Sequence, residues 1–83
     1  MNEIERALFD LADIISYRFP AVWLQWSFDL LTQEYLIRVE EKSGKYIDKH
    51  IKMSELQASS DPLDVLGFEI SNMITELSQK AVE

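Results

Sequence analysis

Cysteine is absent from this 83-residue sequence, which excludes both a disulfide frame and a thiolate metal site. Glycine occurs only at Gly44 and Gly67, too far apart to build a phosphate-cradling loop. Histidine occurs once, at His50, which leaves metal and acid–base templates short of partners. No serine stands in a nucleophile-elbow motif, and no glycine sits at the offset a calcium loop requires. No apolar run extends beyond a few residues, so no membrane-crossing helix is expected. Glu3, Glu5, Asp10 and Asp13 interrupt any secretory h-region, and the expected location is the cytoplasm of a bacterium or an infected host cell.

Positive charge is also scarce. Eight Lys and Arg stand against 15 Asp and Glu, a net charge of −7. That balance argues against direct binding to a nucleic-acid backbone, which requires clustered bases. The acids are unevenly spread. Residues 1–33 carry five acids and two bases, and residues 53–83 carry six acids and one base. Residues 34–52 carry four acids and five bases.

What is present is apolar: 47% of residues are hydrophobic and 11% aromatic, enough to argue against disorder. The length suits one domain over residues 1–83, burying about 60–65% of its unfolded surface.

Asn2 followed by Glu5 resembles a capping box, and Ile4, Leu8, Leu11 and Ile15 recur at helical spacing, with Ala7 and Ile14 widening the stripe. The spacing predicts a helix over about 2–19, stopped by Pro20. The period then becomes two. Val22, Leu24, Trp26, Phe28 and Leu30 alternate with Trp23, Gln25, Ser27 and Asp29, predicting a half-buried strand over 22–30. Further strands are expected over 34–41, with Tyr35, Ile37 and Val39 facing in, and 45–53, with Ile47, Ile51 and Met53 facing in and Lys49 interrupting.

Gly44 fits the last position of a three-residue hairpin loop. The register that follows pairs Val39 with Ile47, Tyr35 with Ile51, Arg38 with Asp48 and Glu34 with Lys52. Apolar residues meet on one face and opposite charges on the other, and a one-residue slip destroys both matches. The same register places His50 on the open face across from Leu36. Residues 57–60 read as a polar linker. Asp61 can then cap a helix over about 62–81, with Pro62 at its first position and Asp64 at its positive end. Leu63, Leu66, Ile70, Met73, Ile74, Leu77 and Ala81 form its stripe, with Gly67 on the inner side. The expected fold class is α+β: helix, three-stranded antiparallel meander, helix (αβββα), both helices on one face of the sheet.

No enzyme, cofactor or metal site is expected. The functional signal is in apolar residues that fall off the core pattern: Phe9 and Tyr17 on the first helix, Val65 and Phe68 on the second, and Trp23, Leu36 and Tyr46 on the far sheet face. Aromatic residues of this kind are enriched at binding hot spots. Strand one carries Asp29 as its only charge, whereas Lys45, Lys49 and Lys52 protect strand three. A homodimer through strand one, or a partner strand added there with Trp23 at the contact, is one expectation. The other is an inhibitor or modulator that docks on a basic surface of a larger protein, such as a nucleic-acid-binding protein. In size and charge the chain resembles small phage anti-defence proteins, the anti-CRISPR and DNA-mimic anti-restriction types, and is similar to bacterial immunity proteins and antitoxins. The resemblance rests on no motif. A DNA-mimic reading implies an acidic surface made by Asp61, Asp64, Glu69 and Glu76.

Overall fold

A computed structural model describes residues 2–80. The chain runs α1 (Glu3–Arg18), β1 (Val22–Asp29), β2 (Glu34–Glu41), β3 (Tyr46–Lys52), α2 (Met53–Ala58) and α3 (Pro62–Gln79). The strands form one antiparallel sheet in the order β1-β2-β3, with the helices on one face. This is the expected αβββα layout with one further short helix.

The helix ends follow local chemistry. Asn2 Oδ1 accepts the Glu5 N–H at 2.8 Å, satisfying one of the donors that a helix start leaves free. At the other end the Phe19 N–H still bonds the Ile15 carbonyl, and Pro20 prevents a further turn. Asp61 caps α3 by accepting the Asp64 N–H at 3.4 Å, with Pro62 in the first turn. The C-terminal carbonyls of α3 receive a cation from the sheet. Lys45 Nζ donates to the Leu77 and Lys80 carbonyls at 3.4 and 3.2 Å, where the helix dipole favours positive charge. Lys80 Nζ returns to the Tyr46 carbonyl, so the hairpin and the end of α3 are tied twice.

The hairpin register is the expected one at every pair, including Val39–Ile47, Tyr35–Ile51, Arg38–Asp48, Glu34–Lys52 and Leu36–His50. Gly44 closes the turn at φ +97°, and its N–H bonds the Glu41 carbonyl at 2.8 Å. The β1–β2 connection has a different device. Asp29 Oδ1 accepts the Leu31 N–H at 2.9 Å and the Thr32 N–H at 3.4 Å, an Asx turn that reverses the chain without glycine. Gln33 takes the one positive φ of a non-glycine residue among the described residues, 54°.

The core lies between the sheet and the helices. Tyr35, Ile37 and Val39 of the central strand are buried together with Ile4, Ala7, Leu8 and Ile15 of α1 and Leu66, Ile70, Met73 and Leu77 of α3. Lys49 occupies an inward position on β3 opposite Ile37, and its ammonium reaches Glu69 of α3. Its charge is thus met at the sheet margin, and the stem can lie along the core.

Several sequence expectations change. Met53 leaves the strand and opens α2, although its N–H still bonds the Gln33 carbonyl. Gln57 and Ala58 are helical, so the linker shrinks to the segment before Asp61. A six-residue helix is too short to show a period; its one buried residue, Leu56, is what holds it to the core. Leu30 belongs to the turn and is 81% exposed, because the Asx turn ends the strand at Asp29. Ile14 and Leu63 are exposed rather than inward, since each falls on the flank of its helix stripe. The expectation for Ala81 lies outside the described residues.

Gly67 faces α1, and a Cβ built there would meet Leu11 Cδ2 at 3.8 Å, an ordinary van der Waals contact. Helix packing therefore leaves room for a methyl group, while the glycine costs helix propensity. Gly67→Ala is expected to raise stability by about 0.5–1 kcal/mol, read as a higher urea midpoint at unchanged slope.

Candidate interaction surfaces

With the helices on one side, no element among the described residues covers the other sheet face. Its side chains form four cross-strand rows: Trp23–Glu40–Tyr46, Gln25–Arg38–Asp48, Ser27–Leu36–His50 and Asp29–Glu34–Lys52. The second row is tightly organised. Arg38 Nε and Nη2 donate to Asp48 Oδ1 and Oδ2 at 2.7 and 2.9 Å, a two-point fork. That hydrogen bond holds the Asp48 carboxyl below its ordinary range and raises Arg38 further. The Arg38 guanidinium also stacks on Tyr46, 4.1 Å from the ring centre, and Lys80 Nζ approaches the same ring at 5.5 Å. Tyr46 is 43% exposed, Trp23 is 47% exposed and Leu36 is half-buried. In the third and fourth rows, His50 Nδ1 stands 3.6 Å from Glu34 Oε2. The face is mixed in sign, with Arg38–Asp48 as its ion pair across strands.

The helical layer is different. The three helices and the two caps of α3, Asp61 and Lys80, carry nine carboxylates and three basic side chains, whereas the chain from Val22 to Lys52 carries five of each sign. Tyr17 and Phe68 stand out from this layer, 89% and 66% exposed. Each follows an aspartate by one helical turn, Asp13 before Tyr17 and Asp64 before Phe68. Phe9 is on the same layer but at its margin, packed edge-on against Trp26 of β1 with ring centres 4.9 Å apart. Val65 does not point outward as expected. It is partly buried and packs on the core, because it lies on the flank of α3 that turns toward the sheet.

The four expected acidic residues are not one array. Glu69 is paired with Lys49 at the sheet margin, and Asp61 is engaged at the helix cap. Glu76 follows Asp64 by twelve residues, about 18 Å along a helix. Asp10 and Asp13 of α1, which those four omit, belong to the same acidic layer. The strongest apolar exposure was also missed by pattern reading: Leu31 is 96% exposed beside Leu30 at the β1–β2 turn, with Phe19 42% exposed before β1. The signal available in the sequence was two adjacent leucines at a chain reversal, where strand parity no longer applies.

Among the described residues no group of three or more His, Cys, Asp or Glu is arranged to hold a metal ion, and no helix is long and apolar enough to cross a membrane. The fold and its exposed groups define an α+β two-layer protein with an open sheet face and an acidic helical layer. No protein-family model, curated protein or solved structure matches the chain.

Proposed function

We propose that this chain is a non-enzymatic interaction protein, of the inhibitor or modulator type, whose acidic helical layer docks on a basic surface of a larger protein. The observation that carries this reading is the segregation of charge: nine carboxylates against three basic side chains on the helices and the caps of α3, beside a balanced sheet. A surface of one sign steers encounter with an oppositely charged partner and rejects like-charged ones. Tyr17 and Phe68, each one turn beyond an aspartate, supply apolar anchors within the same layer. A nucleic-acid-binding protein offers a basic surface of this kind, which is how the reading connects to the anti-defence class. Glu69 is not counted among the docking groups, since Lys49 already neutralises it.

The test is association with a basic protein captured from the native cell, comparing the wild-type chain with a variant carrying Asp10→Asn, Asp13→Asn, Asp64→Asn and Glu76→Gln. Association of the wild type is expected to slow steeply with added salt, and the neutralised variant to associate about tenfold or more slowly at low salt. Phe68→Ala is expected to hasten dissociation with little change in the on-rate. A partner whose on-rate ignores both salt and the four substitutions would move the docking surface away from the helices.

A further inference from the structure

The two edges of the sheet are not equivalent. On β3, Lys49 and Lys52 are at the edge, and the Tyr46 carbonyl already accepts from Lys80 Nζ. On β1 no residue from Val22 to Phe28 is charged, and no proline or bulge interrupts the strand. The antiparallel pattern shows which backbone groups are left over. Lys42 N–H donates to the Ala21 carbonyl at 2.8 Å, so the alternating ladder assigns Trp23, Gln25, Ser27 and Asp29 to bonding with β2. The peptide groups of Leu24, Trp26 and Phe28 face away from β2, as does the Val22 carbonyl; the Val22 N–H is taken by Phe19.

We infer that β1 pairs antiparallel with β1 of a second copy of this chain, about a two-fold axis at Gln25, to make a continuous six-stranded sheet. This register is the one that pairs the four outward-facing residues among themselves, Leu24 with the partner's Trp26 and Val22 with the partner's Phe28. It extends the apolar inner face across the joint. On the open face, Gln25 meets the partner's Gln25, Trp23 lies beside the partner's Ser27, and Asp29 falls opposite an alanine. No charge opposes a like charge, which is the condition for a strand to serve as its own complement.

Two further observations favour a second copy over a foreign strand. The exposed Leu30–Leu31 turn and the exposed Phe19 stand at opposite ends of β1. A two-fold antiparallel pairing brings the turn of each copy to the end of the joint where the other copy's Phe19 stands. Above the sheet, the axis turns the same flank of α1 toward its mate. Phe9, Ala12 and Ser16 mark that flank by helical spacing from the Phe9–Trp26 contact, and Glu5 is the charged residue along it. The outward acidic surface of the helices stays free, so this pairing and the docking reading use separate surfaces.

The experiment is molar mass by light-scattering chromatography and sedimentation over a wide dilution range, on the wild type, Gln25→Lys, Gln25→Glu and an equimolar mixture of the two variants. Gln25 is exposed, so either substitution leaves the fold intact, checked by circular dichroism. The wild type is expected at about twice the 9.7 kDa chain mass. Each variant alone places like charges on the axis and is expected to weaken dimerisation by about tenfold or more, and the mixture to restore it. Neutralising Asp10, Asp13, Asp64 and Glu76 is expected to leave the mass unchanged, which separates this inference from the docking reading. A wild type that stays at the chain mass at every concentration overturns the proposal. So does a dimer that both substitutions leave intact, or a mixture no more dimeric than its components.

Discussion

Leu56→Ala is expected to destabilise the protein by about 2–5 kcal/mol, the range for truncating a fully buried leucine. Leu56 is 0% exposed, yet it comes from a six-residue helix that sequence patterning places partly in a linker. It lines the same depression as Ile4, Met53 and Pro62, where α2 meets the starts of α1 and α3. A domain of this size has about 4–12 kcal/mol of stability in all, so the loss is a large fraction of the total. Gln57→Ala, one residue on and exposed, is expected to change stability by less than about 0.5 kcal/mol. Urea unfolding of the two variants decides the point. Equal midpoints would make residues 53–58 a covering loop with no share in the core.

Gly44→Ala is expected to cost about 1–3 kcal/mol, wholly through the backbone. No atom lies within 4 Å of a Cβ built at Gly44, so there is nothing for a methyl group to strike. Its φ of +97° is nevertheless a conformation that residues with a Cβ avoid, and the turn needs it to return Lys45 opposite Glu41. Relaxing that angle would disturb the register that sets Arg38 on Asp48 and Val39 against Ile47. The contrast with Gly67→Ala is the sharper measurement. The same chemical change is expected to destabilise at Gly44 and stabilise at Gly67, because one glycine serves a dihedral angle and the other only fills a helical position. If thermal unfolding showed the same sign at both positions, this division would fail.

Much of the fold was legible because each signal was local or strictly periodic. The α1 stripe, the alternation through β1 and the Asp61–Pro62 start of α3 are written in neighbouring residues. The hairpin register followed from a single glycine, checked by two independent matches of charge and apolarity. α2 was not legible, since six residues span fewer than two turns and carry one buried side chain. The device that turns the chain between β1 and β2 was not legible either. Asp29 is the sole charge of its strand, as the sequence reads, but that its carboxylate also accepts the Leu31 and Thr32 N–H groups and bends the chain shows only in the structure. The candidate surfaces were legible only as a list. Tyr17 and Phe68 stand free on the helices, Tyr46 lies under Arg38, Phe9 braces Trp26, and Val65 joins the core.

Sequence alone determined every element except α2, their order, the hairpin register and the inner face of each strand, because periodicity and turn chemistry act over a few residues. Tertiary structure decided which charges are spent and which remain. Lys49 cancels Glu69 and Lys45 is drawn onto the end of α3, each across elements far apart in the chain. It also decided that Leu30 and Leu31 project at one end of β1 while Phe19 stands exposed at the other. Such pairings depend on distances between elements, and a linear pattern holds no information about a distance until packing has set it.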